Sequence, residues 1–483
     1  MKLLVLGIDA LDRILLGQFI DEMPNFAGLI DQGILLPVVS TFPPDSDTAW
    51  ATIYTGMNPA EHGIVRFIDP LEKSYKIQYE RVDNTVLQGN TIFDVLNKNE
   101  IRAHAIFPHL CYPVWDTGGI LVSRATDMLD VQANPPEVLD MYPNASIIAG
   151  VRGFPDRSRG GMKSFIERHK RQAFADAEFA INVMQNFEWD LVFVYWSTLD
   201  AISHFFWSHH DKDDPLYDPG NEFEDTIRSA YGWFDILLGR FLEEVDDHTS
   251  IIVMSDHGHG GRPATLVNVN EMLRKIGLLI AHNPDESLQV SFVEFIKRTG
   301  MKAVSAFGLA KLAGKVLRVA PGIMKFYTRP QIIDWNNTVA YVSDMSGIKA
   351  YTYGGVCINR GTLSGIEYER IRDRIIDYLP SVCKHPEDGT RLIKLIARRE
   401  DVYRGVNIGE YPDIVLEFEY GYGLGWEVFS PLFVNAISHK IVPGSHRGDT
   451  GVFISQDSKW AEGKEVNLLS LKSLVLHHFG IAA

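Results

Sequence analysis

Three short apolar runs in this chain each lead to an acidic residue. The runs and their acids are 3–8 followed by Asp9, 191–196 followed shortly by Asp200, and 251–255 followed by Asp256. A continuous apolar run of this length is typical of a strand buried on both faces of a parallel sheet. The carboxyl ends of such strands open on a ligand crevice. We therefore expect the three acids to lie at the same edge of one sheet.

Strand-like segments alternate with helix-like segments along the chain. Residues 91–97, for example, have a helical pattern and precede the strand-like residues 103–107. No internal repeat or low-complexity linker interrupts the alternation. The pattern predicts an α/β fold with a mostly parallel central sheet and helices on both faces.

Residues 287–330 differ from the rest of the chain and are predicted to form a helical insert. Glycines break the segment, and residues 295–330 contain eight bases and no acids in a chain whose net charge is −16. Apolar residues between the bases make the insert amphipathic. We favour a packed insert whose bases pair with an acidic core. The alternatives are a cap that attracts a polyanionic substrate and a surface that contacts an anionic membrane.

Composition leads us to expect a soluble, cytoplasmic enzyme. The chain has 483 residues with 46% hydrophobic content, and no apolar run approaches the roughly 20 residues that span a membrane. The first apolar run is too short for a signal peptide and is not followed by a small-residue cleavage site. Cys111, Cys357 and Cys383 are too few and too dispersed for a disulfide framework. No nucleic-acid-binding module is evident.

Histidines close to two of the acids make these residues candidate metal ligands. Asp200 and His204 are four residues apart, so one helical turn would place both on one face, where they could hold one cation. Asp256 and His257 are adjacent and can serve one metal only in a turn, which the following glycine would permit. A late histidine, His446, lies in a similarly glycine-rich loop.

Ser46 lies within residues 42–56, which are predicted to begin extended and continue as a helix. At a helix start, unpaired backbone N–H groups and the positive end of the dipole favour an anion, so a phosphoryl group attacked by Ser46 would be stabilised there. Ser46 could instead be the N-cap, a role that Asp45 or Asp47 could fill equally well. From the local residues alone, the N-cap interpretation is favoured.

Taken in order, these motifs resemble those of the alkaline phosphatase superfamily. The motifs are an early Ile-Asp, a Ser before Trp and Thr-Gly-x-x-Pro-x-x-His-Gly-Ile, an Asp-x-x-x-His, a Ser-Asp-His-Gly and a late Gly-x-His. Residues 55–64, 204–207 and 214–219 are similar, more narrowly, to the type I phosphodiesterase/nucleotide pyrophosphatase branch. The chain most resembles the predicted phosphohydrolases or phosphomutases of the superfamily. The resemblance implies an alkaline-phosphatase-like fold.

The resemblance also implies a two-metal site. One ion would be held by Asp200, His204 and His446, and the other by Asp9, Asp256, His257 and Ser46. Ser46 would be the nucleophile, because in the family this residue precedes the Thr of Thr-Gly by nine positions, and that Thr is Thr55 here. Metal would lower the pKa of its hydroxyl, and water would hydrolyse the resulting phosphoryl-enzyme.

The implied ligand set indicates the cofactor and the domain organisation. Zinc fits mixed Asp and His ligands and is our first choice, with manganese as the alternative. Because Asp9 and His446 would belong to one site, we predict a single catalytic domain over residues 1–483 that contains the insert at 287–330. Asp449 could accept a hydrogen bond from His446 and orient its ring.

Two departures from the family pattern bear on the substrate. Nucleotide pyrophosphatases place a phosphate-binding asparagine where this chain has Phe67. Arg66 could replace it as a charged donor, or it could be a surface or salt-bridged arginine. Asp45 and Asp47 flank Ser46, and negative charge beside a phosphate penalises a dianionic monoester more than a monoanionic diester. This favours a diester substrate, with Asp47 near the site.

We therefore expect a metal-dependent phosphoric-ester hydrolase, specifically a phosphodiesterase that acts through a Ser46 phosphoryl-enzyme on a phosphate-ester substrate. A phosphomonoesterase or phosphomutase on the same site is the alternative enzyme. A catalytically silent metal-binding or scaffold protein is the alternative from another class. Sulfatase activity is not expected, because the five residues from Ser46 lack the Pro and Arg of the sulfatase signature.

Overall fold

A computed structural model describes residues 2–64, 84–125, 130–142, 155–282, 332–343, 351–457, 460 and 463–482. The chain divides into two compact units. Unit 1 comprises residues 1–64, 82–260 and 444–483, and unit 2 comprises residues 65–81 and 261–443. The insert predicted at 287–330, with its cap and membrane interpretations, lies outside the described residues. The single domain predicted over residues 1–483 stays a prediction.

The described residues form the following regular elements. The strands are β1 (Lys2–Ile8), β2 (Ile34–Val39), β3 (Ala103–Ile106), β4 (Leu121–Arg124), β5 (Val131–Asn134), β6 (Leu191–Trp196), β7 (Thr249–Met254), β8 (Gly258–Gly261), β9 (Thr265–Asn268), β10 (Ala340–Val342), β11 (Tyr353–Ile358), β12 (Ile393–Arg398), β13 (Ile414–Phe418), β14 (Tyr422–Gly425), β15 (Phe433–Asn435), β16 (Gly444–Arg447), β17 (Gly451–Ser455) and β18 (Val466–Asn467). The α-helices are α1 (Arg13–Phe19), α2 (Pro24–Asp31), α3 (Ser46–Thr55), α4 (Pro59–His62), α5 (Ile92–Lys98), α6 (Arg159–Asn186), α7 (Thr198–His210), α8 (Thr226–Glu243), α9 (Val269–Lys275), α10 (Gly365–Val382), α11 (Arg399–Val402), α12 (Ile437–Ile441) and α13 (Leu471–His478).

A nine-stranded sheet forms the centre of unit 1, in the order β18-β2-β17-β7-β1-β6-β3-β4-β5. β1 pairs in parallel with β6 and β7, β3 pairs in parallel with β6 and β4, and β18 pairs in parallel with β2. β17 and β5 run antiparallel to their neighbours. The predicted α/β fold with a mostly parallel sheet is therefore confirmed.

The apolar runs become central strands because both of their faces are covered. Along β1, Leu4, Leu6 and Ile8 join one hydrophobic layer with α1, α2, α6, α7 and α8. Leu3 and Val5 join the opposite layer with α3, α5 and α13. Full burial of such side chains contributes about 1.5–3 kcal/mol each, which favours uninterrupted apolar sequence in these strands. The prediction of helices on both faces is confirmed.

Strand register brings the carboxyl ends of three strands together. Gly7 of β1 lies opposite Tyr195 of β6 and Met254 of β7. Glycine is required at position 7 because a Cβ there would lie 2.8 Å from the Trp50 ring. Since β7, β1 and β6 are parallel neighbours, the residues that follow them emerge at one edge, as the sequence predicted.

Unit 2 contains its own sheets and core. β10, β11, β13 and β12 form a four-stranded antiparallel sheet. β14, β9 and β15 form a three-stranded mixed sheet, in which β9 is parallel to β14 and antiparallel to β15. Val356, Leu416 and the α10 residues Ile375 and Leu379 are among its core side chains.

Within the described part of the chain, no helix combines the length and apolar character needed to cross a membrane.

Candidate active site

All seven residues predicted to bind metal lie in unit 1, and the fold brings them together. Their positions are Asp9 directly after β1, Ser46 as the first residue of α3, Asp200 and His204 one turn apart in α7, Asp256 and His257 two and three residues after the end of β7, and His446 in β16. They form two adjoining groups. We call Asp9, Ser46, Asp256 and His257 the Ser46 cage, and Asp200, His204 and His446 the Asp200 cage.

The Ser46 cage places a hydroxyl against two ligand atoms. Ser46 Oγ lies 3.2 Å from His257 Nε2 and 3.4 Å from Asp9 Oδ1. His257 Nε2 is also 3.2 Å from Asp256 Oδ2 and 3.6 Å from Asp9 Oδ1. Asp256 is fully buried, yet neither of its carboxylate oxygens meets hydrogen-bond geometry with a described residue. A buried carboxylate of this kind needs a cation or a proton.

The N-cap of α3 is Asp45 rather than Ser46. Asp45 has extended backbone angles, and its carboxylate accepts a hydrogen bond from the Asp47 N–H at 3.2 Å. Ser46 is therefore half-buried at the first helical position, with its hydroxyl directed into the cage. The N-cap interpretation of Ser46, which the local residues favoured, is therefore wrong.

The Asp200 cage joins a helix and a late strand. Asp200 Oδ1 lies 3.4 Å from His204 Nε2 and 3.4 Å from His446 Nε2, and the two Nε2 atoms are 3.0 Å apart. Ligand atoms of a tetrahedral zinc site, at bond lengths of about 2.0–2.1 Å, lie roughly 3.3 Å from one another. The spacings in both cages are therefore close to those that a bound metal ion requires.

Backbone carbonyls hold all three predicted histidine ligands in one tautomer. Nδ1 of His204 donates to the Gly444 carbonyl at 3.0 Å, and Nδ1 of His446 donates to the Pro44 carbonyl at 2.7 Å. His257 Nδ1 donates to the Gly258 carbonyl at 2.9 Å. Each neutral ring therefore directs its Nε2 lone pair into a cage, which is the usual arrangement of metal-bound imidazole. Because of this orientation of the rings, the residues of both cages are suited to bind metal ions.

The model of the type I phosphodiesterase/nucleotide pyrophosphatase family matches residues 3–353. The chain belongs to this family. It is accordingly a phosphoric-ester hydrolase, and the predicted resemblance to the alkaline phosphatase superfamily is confirmed. A search of curated protein sequences found no match to the chain.

Two solved structures of the same fold are similar to this family member. Human ectonucleotide pyrophosphatase/phosphodiesterase 5 has 12% sequence identity and a TM-score of 0.51, with 100% of this chain and 96% of that chain covered. Phosphonoacetate hydrolase from Sinorhizobium meliloti 1021, in complex with phosphonoformate, has 12% identity and a TM-score of 0.50, with 98% and 94% covered. At these identities the likeness shows the fold alone.

Three carboxylates concentrate negative charge in the site of this phosphodiesterase-family chain. Burial, with the nearby charge of Asp200, raises the pKa of Asp9 to about 6. Burial and the charges of Asp9 and Asp200 raise the pKa of Asp256 well above its ordinary value. Burial opposes ionisation of Asp200 as well, but the imidazoles of His204 and His446 hold its pKa well below the usual range. Divalent cations would relieve the repulsion among these groups.

Asp9 is oriented by side chains to which the sequence analysis gave no role. Its Oδ2 accepts hydrogen bonds from the Tyr195 hydroxyl at 2.6 Å and from Trp50 Nε1 at 3.3 Å. These contacts leave Oδ1 facing Ser46 and His257. Tyr195 and Trp50 could have been suspected from sequence only because they border the motifs, since apolar packing is the commoner role of such residues.

The residues predicted to contact substrate or to support the cages have mixed outcomes. Asp47 is buried and receives a 2.6 Å hydrogen bond from His109 Nε2. Asp449 does not orient His446, because the Pro44 carbonyl accepts the Nδ1 proton of that ring. The Asp449 carboxylate instead lies 3.5 Å from the Arg447 guanidinium. Arg66 and Phe67 lie outside the described residues, so the prediction for Arg66 stays a prediction.

Proposed function

We propose that this protein is a phosphodiesterase that attacks its substrate with Ser46 and holds two divalent metal ions in the Ser46 and Asp200 cages. The observation that carries the proposal is the position of Ser46 Oγ, 3.2 Å from His257 Nε2 and 3.4 Å from Asp9 Oδ1. A serine whose only role was to cap the helix would not be expected to place its hydroxyl beside two candidate metal ligands. Membership of the phosphodiesterase family supports the reaction class.

Ser46 supplies the nucleophile and the start of α3 supplies part of the electrostatic support. In the first step the Oγ–P bond forms as the bond between phosphorus and the leaving alcohol oxygen breaks. Water then attacks the phosphorus of the phosphoryl-serine, the Oγ–P bond breaks, and a proton from the water restores the Ser46 hydroxyl. The ten-residue helix α3 directs its positive end towards the phosphoryl group, which lowers the free energy of the developing charge. Two bound divalent ions would lower the pKa of the hydroxyl and neutralise phosphoryl oxygens.

A diester remains the favoured substrate, although the Asp47 carboxylate repels a bound phosphate less than the sequence suggested. Asp47 is paired with His109, so its carboxylate is less available to repel a phosphate. Asp45 stays near the cages, because it caps α3 directly before Ser46. A negative charge at this position penalises a dianionic monoester more than a monoanionic diester. Zinc is the favoured metal because the ligands mix imidazole and carboxylate.

The proposal is tested by metal analysis combined with turnover of two simple esters. We expect about two metal ions per chain and faster hydrolysis of bis-p-nitrophenyl phosphate than of p-nitrophenyl phosphate. Ser46→Ala should lower diester turnover by at least about 10³-fold, because nucleophile removal in comparable enzymes costs that much or more. Ser473→Ala serves as the matched control, because it removes a hydroxyl that donates from α13 to the carbonyl of Ser470, the residue that precedes this helix.

Each alternative function has a distinct outcome in this experiment. Preference for the monoester would replace the proposal with a phosphomonoesterase or phosphomutase on the same site. Bound metal without turnover of either ester would support a metal-binding or scaffold protein. Turnover that survives Ser46→Ala would reject Ser46 as the nucleophile, and metal-free protein with full activity would reject the two-metal site.

A further inference from the structure

His259 is a buried histidine whose ring nitrogens have no hydrogen-bond partner among the described residues. Its ring is 1% exposed, and Nδ1 lies 3.6 Å from Asp200 Oδ1. A buried polar atom without a partner destabilises the folded protein, because it has lost its hydrogen bonds to water. A ring with two such atoms beside a carboxylate therefore requires a compensating interaction that none of the described residues supplies.

The position of His259 relative to the Asp200 cage indicates what that interaction is. Asp200, His204 and His259 can each offer one ligand atom such that all three atoms lie within 4.8 Å of one another. The His259 ring centroid is 4.7 Å from that of His204 and 5.9 Å from that of His446. The 3.6 Å from Asp200 Oδ1 is close to the roughly 3.3 Å expected between ligands of one tetrahedral ion.

The surrounding backbone fixes the His259 ring in place. The His259 N–H donates to Asp12 Oδ2 at 3.1 Å, and Asp12 also caps α1 through its other oxygen. A Cβ at Gly258 would lie 2.4 Å from the same Asp12 oxygen. A Cβ at Gly444 would lie 2.6 Å from His259 Nε2. Both glycines therefore leave the space that this position of the ring requires.

We propose that His259 is a fourth protein ligand of the ion held by Asp200, His204 and His446. This inference rests on the proposed two-metal site. Catalytic zinc sites commonly have three protein ligands and one open position, whereas four protein ligands complete a tetrahedral site. The Asp200 cage then has four Asp and His ligands, whereas the Ser46 cage has three together with the Ser46 hydroxyl. Three imidazoles and one carboxylate also favour zinc over manganese.

Zinc binding by the full-length chain, measured in competition with a chromophoric chelator, tests the proposal without reference to activity. We compare the wild type with His259→Leu, which keeps the bulk of the ring but cannot bind metal. One of two zinc affinities should fall by at least about 100-fold, since even residues that only support metal ligands contribute about 10–100-fold. The Co²⁺ absorption spectrum of that site should change, and its preference for Zn²⁺ over Mn²⁺ should decrease.

Stability measurements separate loss of a ligand from damage to the fold. In chelator, His259→Leu should unfold at a temperature no lower than the wild type, because the substitution removes unpaired buried polar atoms. Its stabilisation by added Zn²⁺ should be smaller than that of the wild type. His259→Gln provides a second variant with a polar side chain and should lose the same zinc affinity. His104→Leu, at a buried histidine in β3 that bonds the Glu188 carbonyl, is the control and should bind both ions normally.

The outcomes distinguish this inference from the proposed function. If the wild type binds two zinc ions and the His259 variants bind them with unchanged affinities and an unchanged Co²⁺ spectrum, His259 is not a ligand and the two-metal site stands. If the wild type binds no metal, both proposals are rejected.

Discussion

At the scale of single residues, Asp9 is a candidate metal ligand that hydrogen bonds from its neighbours orient. The Tyr195 hydroxyl and the Trp50 indole both donate to one carboxylate oxygen, and the other oxygen faces Ser46. The hydrogen bond from Tyr195 also counteracts the rise in the pKa of Asp9 that burial causes. Tyr195 thus favours the ionised carboxylate that metal binding requires.

Removal of the Tyr195 hydroxyl should therefore weaken metal binding. We expect Tyr195→Phe to lower zinc affinity by about 10–100-fold, the usual effect of losing a group that orients a metal ligand. Tyr142→Phe is the matched control, because its buried hydroxyl donates to Asp176. The zinc affinities of the wild type and of both variants are measured by competition with a chelator. Equal zinc affinities for Tyr195→Phe and the wild type would show that the hydroxyl has no such role.

At the scale of elements, the Thr-Gly-x-x-Pro-x-x-His-Gly motif forms a two-helix corner. Gly56 is the C-cap of α3 and Gly63 is the C-cap of α4, and both glycines have the positive φ of the left-handed region. His62 links the two helices: its Nδ1 accepts a hydrogen bond from the Ile64 N–H, and its Nε2 lies 3.1 Å from Thr52 Oγ1. The motif thus fixes the position of α3, the helix that begins with Ser46. The His62 ring makes its contacts with Thr52 and Ile64, within this two-helix corner.

His62 should make stability depend on pH. Burial lowers the pKa of His62 from 6.5 to about 4. The unfolded chain therefore binds a proton more readily than the folded chain between these values. The contribution of neutral His62 is complete above pH 6.5, decreases as the pH falls, and is lost by about pH 4.

The size of this effect follows from the shift in pKa. One pKa unit corresponds to about 1.4 kcal/mol, so the shift of His62 from 6.5 to about 4 contributes on the order of 3–4 kcal/mol. Denaturant unfolding of the wild type and His62→Gln in chelator, between pH 4 and pH 7, should give a flatter pH dependence for the variant. Parallel curves would contradict the prediction.

At the scale of the whole molecule, the candidate site belongs to one unit although its residues come from three chain segments. Asp9 and Ser46, the residues from Asp200 to His257, and His446 all lie in unit 1. Bound metal stabilises only the state that binds it, by about 2.7 kcal/mol at a ligand concentration of 100 times Kd. Metal should therefore stabilise unit 1 through links between segments that are distant in sequence.

Hydrogen exchange with and without chelator tests this expectation. Removal of metal should reduce amide protection in peptides from residues 1–64, 82–260 and 444–483 more than in peptides from 261–443. Asp256→Ala removes a ligand from the Ser46 cage, and its exchange should respond less to chelator. A uniform loss of protection in both units, or none, would be inconsistent with metal bound in unit 1.

The sequence by itself determined the central strands, the fold class and the residue types of the site. Burial on both faces requires continuous apolar runs, so β1, β6 and β7 were recognisable from local pattern. The capping residue Thr91 and helix α5 follow from local preferences in the same way.

Only the tertiary structure decided which groups meet at the site. It made Asp45 the cap of α3 and turned Ser46 towards His257, oriented His446 through Pro44, and placed His259 beside Asp200. These contacts join residues that are far apart in the chain, and they depend on strand order, register and the space left by glycines. Local preference carries no information about such distances, because burial specifies that a side chain is inside without specifying which side chain it touches.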